Sequence, residues 1–191
     1  PSKIAMDNLA AEGIEQGVHL VGDVMYDALL LAMESGLVEQ SQVRKKYYLE
    51  SKRYLLMTVH RAGNTDDPQR LSSILKAISA LNERVIWPIH PRTRKILADY
   101  DWSPTANIQI IDPVGYFEML SLEANARLIL TDSGGMQKEA YWLEVPCLTL
   151  RNETEWVETV EVGWNILTGA DTNKIYNAVQ NLKPPEDHPA I

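Results

Sequence analysis

The chain has little of what marks several common classes of protein. Among its 191 residues there is one cysteine, Cys147, which excludes a disulfide framework and a cysteine-based metal cluster. Its apolar runs fall well short of the ~20 residues of a membrane-spanning helix, and we predict no secretory signal. A net charge of −8 and the lack of a basic stripe offer no attraction for nucleic acid. We therefore predict a cytoplasmic protein that binds neither membrane nor nucleic acid, with Cys147 as a small buried hydrophobe.

What the chain does have is an apolar content of 45%, enough to build a core. Short runs rich in valine, isoleucine and leucine recur along it, as is typical of strands buried on both faces of a parallel sheet. The candidate strands are residues 18–21, 54–59, 84–89, 108–111, 127–131, 145–150 and 165–167. Because helical patterns separate these runs, the sequence predicts an α/β fold with a doubly wound parallel sheet built from βαβ units.

The clearest helical signal begins at Asp67, an N-cap residue, followed by Pro68 at the first helical position. Its apolar side chains follow the helical period on one face. They are Leu71, Ile74, Leu75, Ile78 and Leu81. A second good helix covers residues 24–34, with Gly36 as its C-cap. Weaker patterns predict helices over residues 92–100, 116–123, 134–143 and 173–182. After them, residues 183–189 are expected to run extended and leave the domain.

Unusual polar residues come directly after the candidate strands. These groups are His60 with Arg61, His90 with Arg92, Asp112, Asp132 with Ser133, and Arg151. In an open parallel sheet the carboxyl ends of the strands form one edge, where the loops converge and ligands bind. We therefore expect the binding site at this edge.

The segment with the most chemical content is residues 131–139, TDSGGMQKE. Ser133 can cap the helix that follows, which leaves the amides of Gly134, Gly135 and Met136 pointing out of its N-terminus. Glycine lets a phosphate approach the backbone closely, and the helix dipole attracts an anion without net positive charge. The alternative is a tight strand-to-helix turn without a ligand. The segment is neither a Walker A loop nor a dinucleotide fingerprint, and it lacks the surroundings of a hydrolase nucleophile.

Several further side chains are candidates for the same site. Glu139 can accept hydrogen bonds from ribose hydroxyls, with an exposed helix carboxylate as the alternative. Arg92 and Arg151 suit phosphate oxygens, with an ordinary surface position as the alternative. His60 suits a hydrogen bond to a diphosphate better than a zinc site, since no partner-ligand pattern lies near it. Met119 is a candidate contact for a base. We predict no metal and no cofactor.

Four segments, in one order, carry a family resemblance. They are residues 58–65 (TVHRAGNT), 89–92 (IHPR), 131–140 (TDSGGMQKEA) and 150–155 (LRNETE). Together they resemble the C-terminal half of the non-hydrolysing UDP-N-acetylglucosamine 2-epimerases, and the resemblance extends from about residue 7 to residue 169. The family implies a glycosyltransferase-B type fold of two Rossmann-like lobes, of which this chain resembles the C-terminal, UDP-binding lobe.

The resemblance also implies roles for individual residues. The implied UDP-binding residues are Arg92, Met119, Ser133, Gly134, Gly135, Glu139 and Arg151. His60 is the catalytic candidate, beside the diphosphate. The family reaction removes UDP from C1 and the proton from C2 to give a glycal, then adds them back with C2 inverted. In those similar enzymes the carboxylates for the proton transfer lie on the N-terminal lobe, so we expect this chain alone to be inactive.

The same resemblance divides the chain into three parts. We expect an interlobe segment at residues 1–17, the UDP-binding Rossmann-like domain at residues 18–182, and a truncated C-terminal tail at residues 183–191. The implied partners are a UDP-sugar, an N-terminal lobe that is missing from this chain, and a second copy in a homodimeric parent.

Two positions depart from the family pattern. Gly63 stands where the family usually has a glutamate, which removes one polar contact of the active site. Trp156 stands where many members have arginine, a form associated with a subgroup that uses other UDP-sugars, including diacetamido uronates. Two alternatives stay open. One is a glycosyltransferase lobe of the same fold, although its Glu-x7-Glu pattern is absent around Glu139. The other is a non-catalytic UDP-sugar binding module.

Overall fold

A computed structural model describes residues 2–100 and 102–190, and a six-stranded sheet lies at the centre of this range. Neighbouring strands are parallel, in the order β3-β2-β1-β4-β5-β6. They are β1 Leu55–Thr58, β2 Val85–Pro88, β3 Ile108–Ile111, β4 Leu128–Thr131, β5 Cys147–Thr149 and β6 Asn165–Leu167. The strand order reverses between β1 and β4, which opens a crevice at their carboxyl ends, where ligands bind in such sheets. The predicted doubly wound, Rossmann-like α/β fold is confirmed.

Helices cover both faces of the sheet. Their bounds are α1 Lys3–Ala11, α2 Val24–Glu34, α3 Leu37–Gln40, α4 Val43–Lys46, α5 Ala62–Thr65, α6 Pro68–Ser79, α7 Pro91–Ala98, α8 Tyr116–Asn125, α9 Gly134–Trp142, α10 Val157–Glu161 and α11 Thr172–Asn181. Side chains alternate along each strand. Leu55 and Met57 of β1 join an apolar cluster with α6 and α11, whereas Leu56 joins a second cluster with α8 and α9. The domain therefore has one core on each face of the sheet.

The helix with the strongest sequence signal, α6, forms as predicted. The Asp67 side chain accepts hydrogen bonds from two amides of the first turn, at 2.9 and 3.1 Å, and Pro68 begins the helix. Leu71, Ile74 and the other apolar residues of its inner face are buried. The helix α2 has the predicted bounds, and Gly36 just beyond it adopts the left-handed conformation, with a φ of 71°.

The predicted strand at residues 18–21 is wrong. The segment forms neither helix nor strand, and Leu20 and Val21 are 56% and 85% exposed. The edge strands of the sheet are β3 and β6, so within the described range no strand pairs with this segment. An apolar run becomes a buried strand only where a neighbouring strand can satisfy its backbone hydrogen bonds. Here the run leads into α2 instead.

Both ends of the described range differ from expectation. Near the start, α1 is a helix that the sequence pattern did not reveal. The tail has no helix or strand, as predicted, but it folds back onto the domain instead of leaving it. His188 stacks on Tyr141 with ring centroids 4.2 Å apart, and Trp164 donates a hydrogen bond to the Asp187 carbonyl at 2.9 Å. Burial of aromatic surface holds the tail against α9.

Cys147 is buried in β5, as predicted. Burial raises the pKa of its thiol to about 12, so the thiol is protonated at neutral pH and acts as a small apolar side chain. Across residues 2–100 and 102–190, no helix combines the length and the apolar composition that crossing a membrane requires.

Candidate functional site

One carboxylate, Asp132, joins the turn after β4 to the turn after β1. It is fully buried and accepts hydrogen bonds from the backbone amides of His60, at 3.1 Å, and Arg61, at 3.0 Å. The side-chain amide of Asn64 donates a further bond to Asp132 at 3.1 Å and reaches the Leu150 carbonyl, after β5, at 2.9 Å. The turns that follow β1, β4 and β5 are therefore fixed to one another at the crevice.

Ser133 occupies the N-cap position of α9, but its hydroxyl makes no capping hydrogen bond within the described part of the chain. The predicted side-chain cap is therefore wrong. The turn is closed instead by Thr131, whose hydroxyl oxygen accepts a hydrogen bond from the Ser133 amide at 3.0 Å. The Ser133 hydroxyl is thus not used as a helix cap.

Two glycines form the first turn of α9. A Cβ at Gly135 would lie 3.1 Å from Cε of Met25, and a Cβ at Gly134 would lie 3.4 Å from a carboxylate oxygen of Glu155 and 3.5 Å from Nε1 of Trp156. The first amides of a helix have no partner inside it, so they carry the positive end of the dipole outward. Glycine therefore lets neighbouring side chains pack closely against the start of this helix.

A cavity of about 190 Å³ lies beside this helix start. The carboxyl ends of β1 and β2, the loop before α8 and the first turns of α8 and α9 form its walls. Its lining includes His60, Met119, Val114 and Ser133. The His60 imidazole is 38% exposed, and its Nδ1 lies 3.5 Å from a carboxylate oxygen of Asp132. The cavity thus joins a polar helix N-terminus to an apolar wall.

Two buried acids on α9 and α8 lie outside the lining of this cavity, in different environments. Glu139, in the second turn of α9, is buried, so the alternative of an exposed helix carboxylate is wrong. Burial raises the pKa of Glu139, and the hydroxyl of Tyr116 lowers it in part by hydrogen bonding. Glu123 on α8 is fully buried, and neither of its oxygens has a hydrogen-bond partner among the described residues. Burial, and then the charge of Glu139, raise the pKa of Glu123 well above its usual value. The environment therefore favours the neutral form of Glu123.

A larger cavity, of about 700 Å³, lies between the turns after β1 and β5. Arg61, Arg70 and Arg151 line it, together with Gly63, where an added Cβ would meet no atom of the described chain within 4 Å. Arg151 donates two hydrogen bonds to Glu155, at 2.8 and 2.9 Å, and these are the main cause of the raised pKa of Arg151. Three arginines make this second cavity basic, and it shares no lining residue with the first.

The profile of the UDP-N-acetylglucosamine 2-epimerase family matches residues 1–190 of this sequence. The chain belongs to this family. The resemblance drawn from four segments is thereby confirmed, and the alternative of a glycosyltransferase lobe is set aside.

Individual epimerases are similar to the chain over nearly all its length. A UDP-N-acetylglucosamine 2-epimerase homolog of Methanococcus maripaludis is 48% identical over 98% of this chain and 54% of its own length. The UDP-2,3-diacetamido-2,3-dideoxy-D-glucuronate 2-epimerase of Pseudomonas aeruginosa is 41% identical over 94% of this chain and 50% of its own. The UDP-GlcNAc 2-epimerase of Methanocaldococcus jannaschii, solved with UDP-GlcNAc and UDP, superposes with a TM-score of 0.88 at 42% identity, over 99% of this chain and 55% of that one. The chain therefore spans about half the length of these relatives.

The structure of this epimerase-family chain brings some of the predicted residues together and separates others. His60, Met119 and Ser133 line one cavity, beside the glycines that begin α9. Arg92 instead lies outside that lining and pairs with Asp66 at 2.6 Å, with both side chains about half exposed. Arg151 lines the second cavity. Over residues 2–100 and 102–190, no group of three or more histidine, cysteine, aspartate or glutamate side chains is arranged to hold a metal ion.

Sequence reasoning missed several contacts that shape the site. Asp132 was placed at this edge with the other polar residues that follow strands, but its hydrogen bonds to the turn after β1 were not predicted. Tyr116, which donates a hydrogen bond to Glu139, gave no signal in the sequence. A third omission is the buried ion pair between Lys138 and Glu158, whose nitrogen and oxygen lie 3.3 Å apart. These two residues stand twenty positions apart on different helices, so no local pattern joins them.

Proposed function

We propose that this chain is the UDP-binding lobe of a UDP-sugar 2-epimerase. The observation that supports this most directly is the position of the α9 N-terminus, which opens beside the 190 Å³ cavity at the switch point of the sheet. In the proposed complex the diphosphate lies against Ser133, Gly134 and Gly135, where the helix dipole and the unpaired amides attract it. The attraction has to be local, because the chain as a whole carries a charge of −8.

The nucleoside is proposed to extend from this point into the cavity. Met119 and Val114 supply the apolar wall that the uracil ring needs. Glu139, buried one turn further along α9 and outside that lining, is proposed to accept hydrogen bonds from the ribose hydroxyls. His60, held through its backbone by Asp132, directs a partly exposed imidazole to the diphosphate. A hydrogen bond from His60 to the departing UDP would stabilise the charge that develops on it.

The whole reaction is proposed to require a second, N-terminal lobe. The matched relatives are about twice as long as the region that they share with this chain. Apolar side chains near the start of α2 support a partner surface, since Val21 is 85% and Val24 78% exposed. In this proposal the second lobe supplies the acid and base for C2, the full enzyme interconverts UDP-N-acetylglucosamine and UDP-N-acetylmannosamine as a homodimer, and this chain alone is inactive. The cytoplasmic setting stays a prediction.

The proposal is tested by calorimetric titration of UDP into the purified chain. We expect a dissociation constant of roughly micromolar to low millimolar. The double variant Ser133→Ala/Glu139→Ala should lose binding, because it removes the Ser133 hydroxyl and the ribose acceptor. Ser103→Ala, at an exposed loop serine, is the matched control and should bind as the parent does.

Two outcomes would contradict the proposal. One is the absence of UDP binding by the parent chain both alone and with an added N-terminal lobe. The other is epimerisation of UDP-N-acetylglucosamine by the chain alone, seen as deuterium entering C2 in deuterated water by proton NMR. Tight binding of the whole UDP-sugar without any second lobe would favour the binding-module alternative.

A further inference from the structure

The indole of Trp156 reaches into the start of α9 from outside the helix. Its Nε1–H donates a hydrogen bond to the Gly134 carbonyl at 2.8 Å. Gly134 is the first residue of α9, and its peptide unit belongs to the turn whose amides point out of the helix. A donor fixed on this carbonyl therefore determines how the first turn is oriented.

The indole is itself held by α9. Lys138 places its ammonium 4.6 Å from the centroid of the Trp156 ring and 5.3 Å from that of Trp142. The ammonium is buried, 2% exposed, and pairs with Glu158 at 3.3 Å, so it cannot move to solvent without leaving a buried carboxylate alone. The cation is thus enclosed by two indoles and one acid, and Trp156 is fixed in the process.

The backbone of Trp156 is fixed as well. Its amide donates a hydrogen bond to the hydroxyl oxygen of Thr154 at 3.0 Å, and that hydroxyl donates to the side-chain carbonyl of Gln137 at 2.6 Å. Both Gln137 and Lys138 belong to α9. The second turn of α9 therefore fixes Trp156, and Trp156 in turn contacts the first turn of the same helix. These contacts surround the predicted anion site.

We propose that Trp156 is a positioning residue for the diphosphate: it aims the first-turn amides of α9 without touching the ligand. This inference rests on the proposed function, because it assumes a diphosphate at Gly134 and Gly135. It assigns a task to a position where many relatives of the family carry arginine. Trp142 offers a matched control, since it faces the same ammonium but makes no hydrogen bond to Gly134 among the described residues.

The test compares Trp156→Phe with Trp142→Phe. Each keeps an aromatic ring beside Lys138, and only the first removes the donor to Gly134. We expect Trp156→Phe to weaken UDP binding about fivefold, the effect of one hydrogen bond, and to leave the affinity for uridine unchanged. Uridine affinity is followed by NMR titration at millimolar ligand. In the unliganded variant the amide resonances of Gly134 and Gly135 should shift, whereas Trp142→Phe should leave them and both affinities unaltered.

The possible results are distinct. Equal loss of UDP and uridine binding in Trp156→Phe, the same loss in both variants, or unchanged UDP binding with unshifted glycine amides would each overturn the positioning role. If Trp156→Phe melts far below the unmodified chain, Thr154→Ala provides a second test, because it frees the indole without removing it. This variant should show the same selective loss of UDP binding. Unchanged UDP binding in Thr154→Ala would also overturn the positioning role. If the parent chain binds no UDP even with an added N-terminal lobe, the proposed function fails first and this inference fails with it.

Discussion

The β4–α9 turn and the segment around α2 show two opposite ways in which this chain uses its side chains. At the turn, polar groups are buried and bonded, as with Asp132 at 0% exposed. Around α2, apolar groups stand in solvent, and Val21, Val24 and Leu31 are 85%, 78% and 68% exposed. Burying a charge is unfavourable unless hydrogen bonds compensate for it, and exposing apolar surface is unfavourable unless a partner covers it.

The polar groups of the turn find their hydrogen-bond partners within the domain, whereas the apolar face of α2 stays uncovered. The turn is complete within the domain, because the amides that follow β1 and the Asn64 side chain donate hydrogen bonds to the buried carboxylate. The two cores described above do not depend on α2. The buried residues of this helix, Leu29 and Ala32, lie in a small separate cluster, and its outer face is exposed. Substitutions in the two regions should therefore differ sharply in their effect on the free energy of unfolding.

The largest effect is expected from Asp132→Ala. The change leaves two backbone amides and the Asn64 side chain without their acceptor, so we expect a loss of about 4 kcal/mol in the free energy of unfolding. Urea denaturation measures it. The control is Asp112→Ala, whose carboxylate is 86% exposed and pairs with Arg94 at 2.7 Å. That surface pair should contribute about 1 kcal/mol or less. Similar losses in the two variants would contradict the role of Asp132 in joining the turns.

A smaller effect, of opposite sign, is expected from Glu123→Met. The pKa of Glu123 is raised in the folded state, so its contribution to stability is fully present below the ordinary carboxyl pKa of 4.5. That contribution is lost as the pH rises toward the folded value. Methionine removes the buried polar group, so the free energy of unfolding of the variant should exceed that of the unmodified chain by about 1 to 3 kcal/mol at pH 8.

The pH dependence makes this prediction specific. The difference between Glu123→Met and the parent should shrink as denaturation is repeated toward pH 5. Glu50→Met, at an exposed glutamate, should show no such trend. A gap that is constant across pH would mean that packing alone, and not the charge of Glu123, causes the difference.

The smallest effect is expected from Leu31→Ser on the exposed face of α2. We expect a change within about 0.5 kcal/mol, because little apolar surface becomes exposed that is not exposed already. Its buried neighbour Ala32 is 5% exposed, and Ala32→Ser should cost about 1 kcal/mol by burying a hydroxyl. Thermal melting of the isolated chain measures both. A large loss for Leu31→Ser would show that this face already has a partner within the chain.

Sequence reasoning predicted the elements whose signals are local. The bounds of α2 and the Asp67 cap of α6 follow from caps and periodicity that a short window contains. Six of the seven strand candidates are confirmed for the same reason. The exception, residues 18–21, has the apolar composition of a strand but no neighbour to pair with, and pairing is a property of the whole sheet. The short helices α3, α4, α5 and α10 have too few residues to give a period.

The sequence predicted which residues meet at the candidate site, but not the contacts that they make. Placing His60, Met119 and Ser133 at one edge requires only parallel strands and the family resemblance. The hydroxyl of Ser133 was expected to cap α9, and it does not. Whether an N-cap serine accepts a hydrogen bond from the first turn depends on its side-chain rotamer, which no sequence pattern specifies. The pairing of Lys138 with Glu158 depends in the same way on how α10 packs against α9.

The bonding of Asp132 has a consequence for the entropy of binding. Loops at ligand sites are commonly ordered only when the ligand arrives, and that ordering weakens affinity. Here the turns after β1, β4 and β5 meet through Asp132 and Asn64, so their conformational freedom is already lost when the domain folds. In the proposed complex the donors at α9 are therefore already arranged before the diphosphate binds, and ordering them does not reduce the affinity.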